Sequence, residues 1–128
     1  MKILLVEDNP DILNLTKISL EMIGSHQVET AEDGDIALQK ILDTPYDLIL
    51  LDDMLPCLNG FQVYEAYKKA ATTYSPIIFF TANTNNTKLK ITNNIVLGLI
   101  TKPFEPKILC KTIDQLVNNF KKQNQKAG

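Results

Sequence analysis

The strongest constraint on this chain is an alternation along its length. Short apolar runs occupy 3–6, 28–30, 48–51, 77–80 and 97–101, and three of them are continuous instead of alternating with polar residues. Continuous runs mark strands buried on both faces, as in a parallel sheet. Between them lie segments with helical spacing: Ile12, Leu15, Ile18, Leu20 and Ile23; Ile36, Ala37, Lys40 and Ile41; Val63, Ala66, Tyr67 and Ala70; Ile108, Ile113, Leu116, Val117 and Phe120. Start and stop signals agree. Asn9 with Pro10 opens the first helix, Gly24 closes it, Asp33 caps the second, and Pro45 and Pro76 punctuate the approaches to strands three and four. Five βα units follow in sequence, which predicts an α/β fold with a parallel sheet and right-handed crossovers placing helices on both faces.

Length and charge narrow the function. The 128 residues fit a single domain with enough core to fold alone. No apolar stretch approaches the roughly 20 residues of a membrane helix, and an acidic pair interrupts the N-terminal run before it could serve as a signal peptide. Membrane insertion is not expected. Cys57 and Cys110 match no metal spacing and read as reduced thiols in a cytoplasmic protein. The net charge is −2 and every basic residue is Lys, so no Arg fork exists for bidentate base or phosphate contacts. Direct nucleic-acid binding is not expected.

In an open α/β sheet, ligands bind beyond the carboxyl ends of the strands, where strand order reverses. Here strand one ends at Glu7 and Asp8, strand three at Asp52, strand four at Thr81 and Ala82, and strand five at Lys102 and Pro103. Three carboxylates, a hydroxyl and an ammonium are thus aimed at one place. Carboxylates so close repel one another, which points to a divalent cation, and a small set of hard oxygen ligands suits Mg²⁺. Lys102 and Thr81 are then suited to hold anionic oxygens. The chemistry assembled is phosphoryl transfer to a carboxylate.

The stretches "LLVEDNP", "VETAEDGDIAL", "DLILLDDMLPCLNG", "FFTAN" and "TKPF" occur in the order found in the response-regulator receiver domain, the CheY-like phosphoacceptor module of two-component signalling, which the chain resembles over nearly its whole length. The resemblance implies a single (βα)5 domain, flavodoxin-like, with strand order 2-1-3-4-5. It implies that Asp52 is the phosphoacceptor, loaded from the phosphohistidine of a sensor histidine kinase or histidine phosphotransfer protein. It assigns Mg²⁺ to Asp8 directly, to Glu7 through water, to Asp52 and to the backbone carbonyl of Met54. Thr81, the Ala82 amide and Lys102 become the phosphoryl-binding groups, the bond from Lys102 to Pro103 is expected to be cis, and Gly60 to end the loop by close backbone approach. Such a module catalyses its own phosphorylation and dephosphorylation and switches the binding of a downstream protein.

Asp53 departs from the family, which usually has an apolar residue there. An acid beside the acceptor is a rival for its role. Register favours Asp52, from which three residues lead to Pro56 and three more to Gly60. Two other readings are weighed. A pseudo-receiver that binds partners without phosphorylation usually lacks an acid, the Thr or the Lys, and all are present. A phosphatase of the haloacid dehalogenase type needs a second Asp two places after the nucleophile, where Met54 stands. The polar stretch 83–94 falls where the fourth helix belongs and is rich in Asn and Thr, which favour caps and turns over helix interiors. With few apolar anchors, residues 83–96 are expected to be short, displaced or mobile, and Leu99 stands where receivers commonly carry a switching Tyr or Phe. The domain is expected to cover 1–122, with 123–128 a polar tail.

Overall fold

The structure, a computed structural model, describes residues 1–82 and 89–127, the last four by backbone alone. The elements run β1 (Lys2–Val6), α1 (Pro10–Met22), β2 (Gln27–Ala31), α2 (Gly34–Asp43), β3 (Leu48–Asp52), α3 (Gly60–Ala70), β4 (Ile77–Thr81), β5 (Val96–Thr101) and α4 (Pro106–Ala127). The five strands pair in parallel in the order β2-β1-β3-β4-β5. The order reverses between β1 and β3, so the crevice opens beyond Val6 and Asp52.

Local chemistry sets the helix starts. Asn9 Oδ1 accepts the amides of Asp11 and Ile12, with Pro10 in the first helical position, and Asp33 Oδ1 accepts the Ile36 amide. Asn59 and Gln62 exchange side-chain bonds to each other's amides at the start of α3. Each bond satisfies a donor that the first turn leaves without a helical partner.

Strand parity divides the interior. Leu4, Val6, Ile49, Leu51, Ile77 and Phe79 pack on one face beneath α2 and α3, where Val63, Tyr64 and Tyr67 meet them. Ile3, Leu5, Leu48, Leu50, Ile78 and Phe80 pack on the other, against Leu13, Leu20, Leu109 and Ile113 of α1 and α4. Every residue of β3 and β4 is buried, which is why their sequences are continuously apolar.

The segment before β5 is described only in part. Residues 83–88 lie outside the described residues, and 89–95 contain no α-helix, so the described residues hold four α-helices. Leu89 and Ile95 are buried in the core, and Asn93 donates to the Tyr64 hydroxyl while its Oδ1 accepts the amides of Ile95 and Val96. Apolar anchors therefore exist in this part of the segment, because spacing irregular for a helix still delivers single side chains to the core. At the other end, the polar stretch from 123 continues the helical backbone of α4 to Ala127.

Candidate functional site

The same parity that splits the core splits the acids. Val6 pairs with Leu51 and Asp52 with Phe80, so Glu7, Asp52 and Lys102 continue the rows of Leu5, Leu50 and Ile100 on one face. Asp53 and Thr81 continue the rows of Leu51 and Phe79 on the other. Adjacent carboxylates thus enter different surroundings.

On the first face, Lys102 Nζ donates to Glu7 Oε1 at 2.5 Å and to Asp52 Oδ2 at 2.9 Å. Asp52 Oδ1 accepts the Met54 amide at 3.2 Å. The two acids are nearly inaccessible, with 2% and 4% of their side-chain surface exposed against 12% for Lys102. Oxygens of Glu7, Asp8 and Asp52 all lie within 4.8 Å of one another. At that separation two full charges repel by about 3 kcal/mol at an effective dielectric of about 20, and one ammonium cannot neutralise three carboxylates. The strain shows in Glu7. Burial, then the neighbouring Asp52, pushes its carboxyl up from 4.5 to about 7 despite the pull of Lys102. Burial acts to lower Lys102, but its hydrogen bonds to Asp52 and Glu7 and their charges outweigh that and raise it.

On the second face, the Thr81 hydroxyl donates to Asp53 Oδ2 at 2.9 Å. Both residues are buried. Thr81 was expected to serve an incoming phosphoryl group beside Asp52; here its proton is directed to Asp53. Nothing in the motif spacing indicates this bond. Its signal was available in the register, because residues at the same level of paired parallel strands project to the same face, and an acid beside a hydroxyl will accept from it.

Backbone contacts hold the strand ends in place. The Lys102 amide donates to the Thr81 carbonyl at 2.8 Å, and the bond from Lys102 to Pro103 is cis. The Gly60 amide donates to the Asp53 carbonyl at 3.1 Å, and a Cβ at Gly60 would stand 2.2 Å from the Asp52 carbonyl oxygen. Only glycine fits that approach, as the sequence suggested. Met54 directs its side chain outward, 72% exposed, and Ala82 lines an apolar cleft with Lys102.

Residues 3–114 match the response regulator receiver domain. The chain belongs to that family. The receiver is 42% identical over 108 residues to the transcriptional regulatory protein DltR of Streptococcus agalactiae, an alignment covering 82% of this chain and 46% of DltR. It is 30% identical over 118 residues to the regulatory protein VanRB of Enterococcus faecalis, covering 91% of this chain and 52% of that protein. The receiver spans about half the length of these relatives. It is also similar to a CheY-like response regulator receiver domain protein from Methanospirillum hungatei, with a TM-score of 0.80 at 27% identity, covering 95% of this chain and 97% of that one. This is a two-component signalling module with a CheY-like fold. Among the described residues, no helix is long and apolar enough to cross a membrane.

Proposed function

We propose that Asp52 accepts a phosphoryl group from the phosphohistidine of a sensor histidine kinase or histidine phosphotransfer protein, in a Mg²⁺-dependent reaction in the cytoplasm, and that the modified receiver switches its binding to a downstream protein. One observation carries this reading: a buried carboxylate at a strand end, hydrogen-bonded to Lys102 on one oxygen and to the Met54 amide on the other, with two further acids within ligand distance.

An all-oxygen donor set of this size fits Mg²⁺. Glu7, Asp8, Asp52 and the Met54 carbonyl are the groups that would hold it. When bound, the cation supplies positive charge that offsets the repulsion between the carboxylates and an arriving phosphoryl group.

The chain's own groups do the rest. The Lys102 and Met54 contacts orient the Asp52 carboxylate. One of its oxygens attacks phosphorus, the new P–O bond forms as the P–N bond of the donor breaks, and the imidazole leaves with that electron pair and takes a proton from solvent. Lys102, already at the acceptor, exchanges its bond to Asp52 for one to a phosphoryl oxygen. The Ala82 amide and the Thr81 hydroxyl supply further donors. Hydrolysis of the acyl phosphate restores the carboxylate. A cleft of ≈ 310 Å³ lined by Ile12, Leu15, Pro103 and Phe104 shares Lys102 and Ala82 with this site, and the bond from Lys102 to Asp52 supports it as the seat for the donor protein.

The test is incubation with Mg²⁺ and phosphoramidate, a small phosphohistidine mimic. Intact mass should rise by one phosphate, and this gain should vanish in Asp52→Asn and on chelation of the metal. A gain that survives either change would rule out the reading.

A further inference from the structure

The Thr81 hydroxyl carries one proton and can donate to one acceptor at a time. In this receiver that proton is committed to Asp53 Oδ2. Register places the two side by side: Asp52 pairs with Phe80, the Asp53 amide donates to the Phe80 carbonyl at 3.1 Å, and the next residues along both strands project to the same face. An apolar side chain at 53 has no atom to accept from Thr81. A carboxylate accepts more strongly than a neutral oxygen, and burial of both residues keeps water from competing.

We propose that Asp53 is a positioning residue that holds the Thr81 hydroxyl in the resting receiver, so that Thr81 reaches a phosphoryl group on Asp52 only by breaking its bond to Asp53. The proposal rests on the phosphoacceptor reading of Asp52. Two acceptors then compete for one proton. A phosphoryl oxygen must displace a charged, buried one, so the unmodified state is favoured and Thr81 engages only when the group on Asp52 is fully seated. The acid next to the acceptor thereby raises the threshold for switching without taking part in phosphoryl transfer.

The test is a double-mutant cycle read by binding of beryllofluoride, an acyl-phosphate mimic, in excess Mg²⁺. Asp53→Asn should tighten binding about fivefold, the advantage of a charged over a neutral acceptor. Removing a negative charge near Asp52 can also tighten binding, so the second arm decides. In a Thr81→Val background the gain should shrink below about twofold, and in Thr81→Ser, which keeps the hydroxyl, it should return. Equal tightening in all three backgrounds, or none in the first, overturns the proposal while leaving the phosphoacceptor reading intact. If the unaltered protein binds no beryllofluoride, both fail. Should the variants not fold, the χ1 couplings of Thr81 in the unaltered protein decide: a change of rotamer on adding beryllofluoride is expected, and an unchanged rotamer overturns the proposal.

Discussion

Lys102→Met replaces the ammonium by an apolar group of similar length and isolates what that charge does. Lys102 bonds Glu7 at 2.5 Å and Asp52 at 2.9 Å, and both acids are nearly inaccessible. Removing one partner of a buried ion pair costs about 3–5 kcal/mol, because the remaining charge has no compensation. Glu7 sets where in this range the loss falls. Its carboxyl sits at about 7 in the folded protein against 4.5 ordinarily, so folding takes up a proton between those values. The stability this group contributes is full below about 4.5 and lost as pH rises through about 7. Without Lys102 the carboxyl rises further, and at pH 6 protonated Glu7 relieves the repulsion. The loss should therefore be about 3 kcal/mol or more at pH 8 and smaller at pH 6. Urea denaturation followed by circular dichroism reads it: with a slope of about 2 kcal/mol per molar, the midpoint at pH 8 falls by about 1.5 M. Saturating Mg²⁺ should recover part of the loss at pH 8, since a bound cation replaces the missing charge. A midpoint shift below about 0.3 M at pH 8, or a larger loss at pH 6 than at pH 8, would refute this electrostatic account.

Gly60→Ala should destabilise the protein by about 2–3 kcal/mol, since the new Cβ would stand 2.2 Å from the Asp52 carbonyl oxygen. Gly98→Ala, whose Cβ would meet only the ends of the Leu116 side chain at 3.3 Å, should cost far less; similar denaturation midpoints for the two would contradict the close-approach argument. Met54→Asn places an amide able to orient water where an exposed thioether now stands, and should change the decay rate of phosphorylated receiver several-fold while leaving Mg²⁺ affinity nearly constant. An unchanged decay rate counts against it. Leu15→Asp, at a position 54% exposed on the cleft rim, should slow phosphorylation by a donor protein by at least about tenfold, a loss of about 1.4 kcal/mol in productive docking, and leave the rate with phosphoramidate unchanged; equal slowing of both would show that the cleft is not the seat of the donor.

Much of this architecture was legible in the sequence because burial on both faces leaves a one-dimensional trace. The apolar runs at 48–51 and 77–80 locate β3 and β4 to within one residue, and Asn9 and Asp33 cap the helices they precede. Glu7, Asp8, Asp52 and Lys102 could be grouped because strand ends in a parallel sheet converge, and they do converge. Thr81 was harder. Its place at the end of β4 was readable, but the direction of its hydroxyl depends on which side chain stands beside it across the sheet, and that requires the register of β3 on β4. Asp53 alternates with Asp52 along the strand, so its face was readable, but the partner it meets there depends on the same register, which sets Thr81 beside it. The segment before β5 was legible in part: its Asn and Thr content reports poor helix propensity, and 89–95 hold no α-helix, whereas the burial of Leu89 and Ile95 depends on packing that propensity does not register.

The division of labour between the two adjacent aspartates is tested most directly by mapping the acyl phosphate itself. Receiver treated with Mg²⁺ and phosphoramidate is reduced with borohydride, which converts a phosphorylated aspartate to homoserine, and the peptide spanning 48–60 is sequenced by tandem mass spectrometry. Homoserine at 52 with aspartate retained at 53 is the predicted outcome. Homoserine at 53, or at both positions in comparable amounts, would contradict the assignment of Asp52 as acceptor and of Asp53 as the residue that holds Thr81.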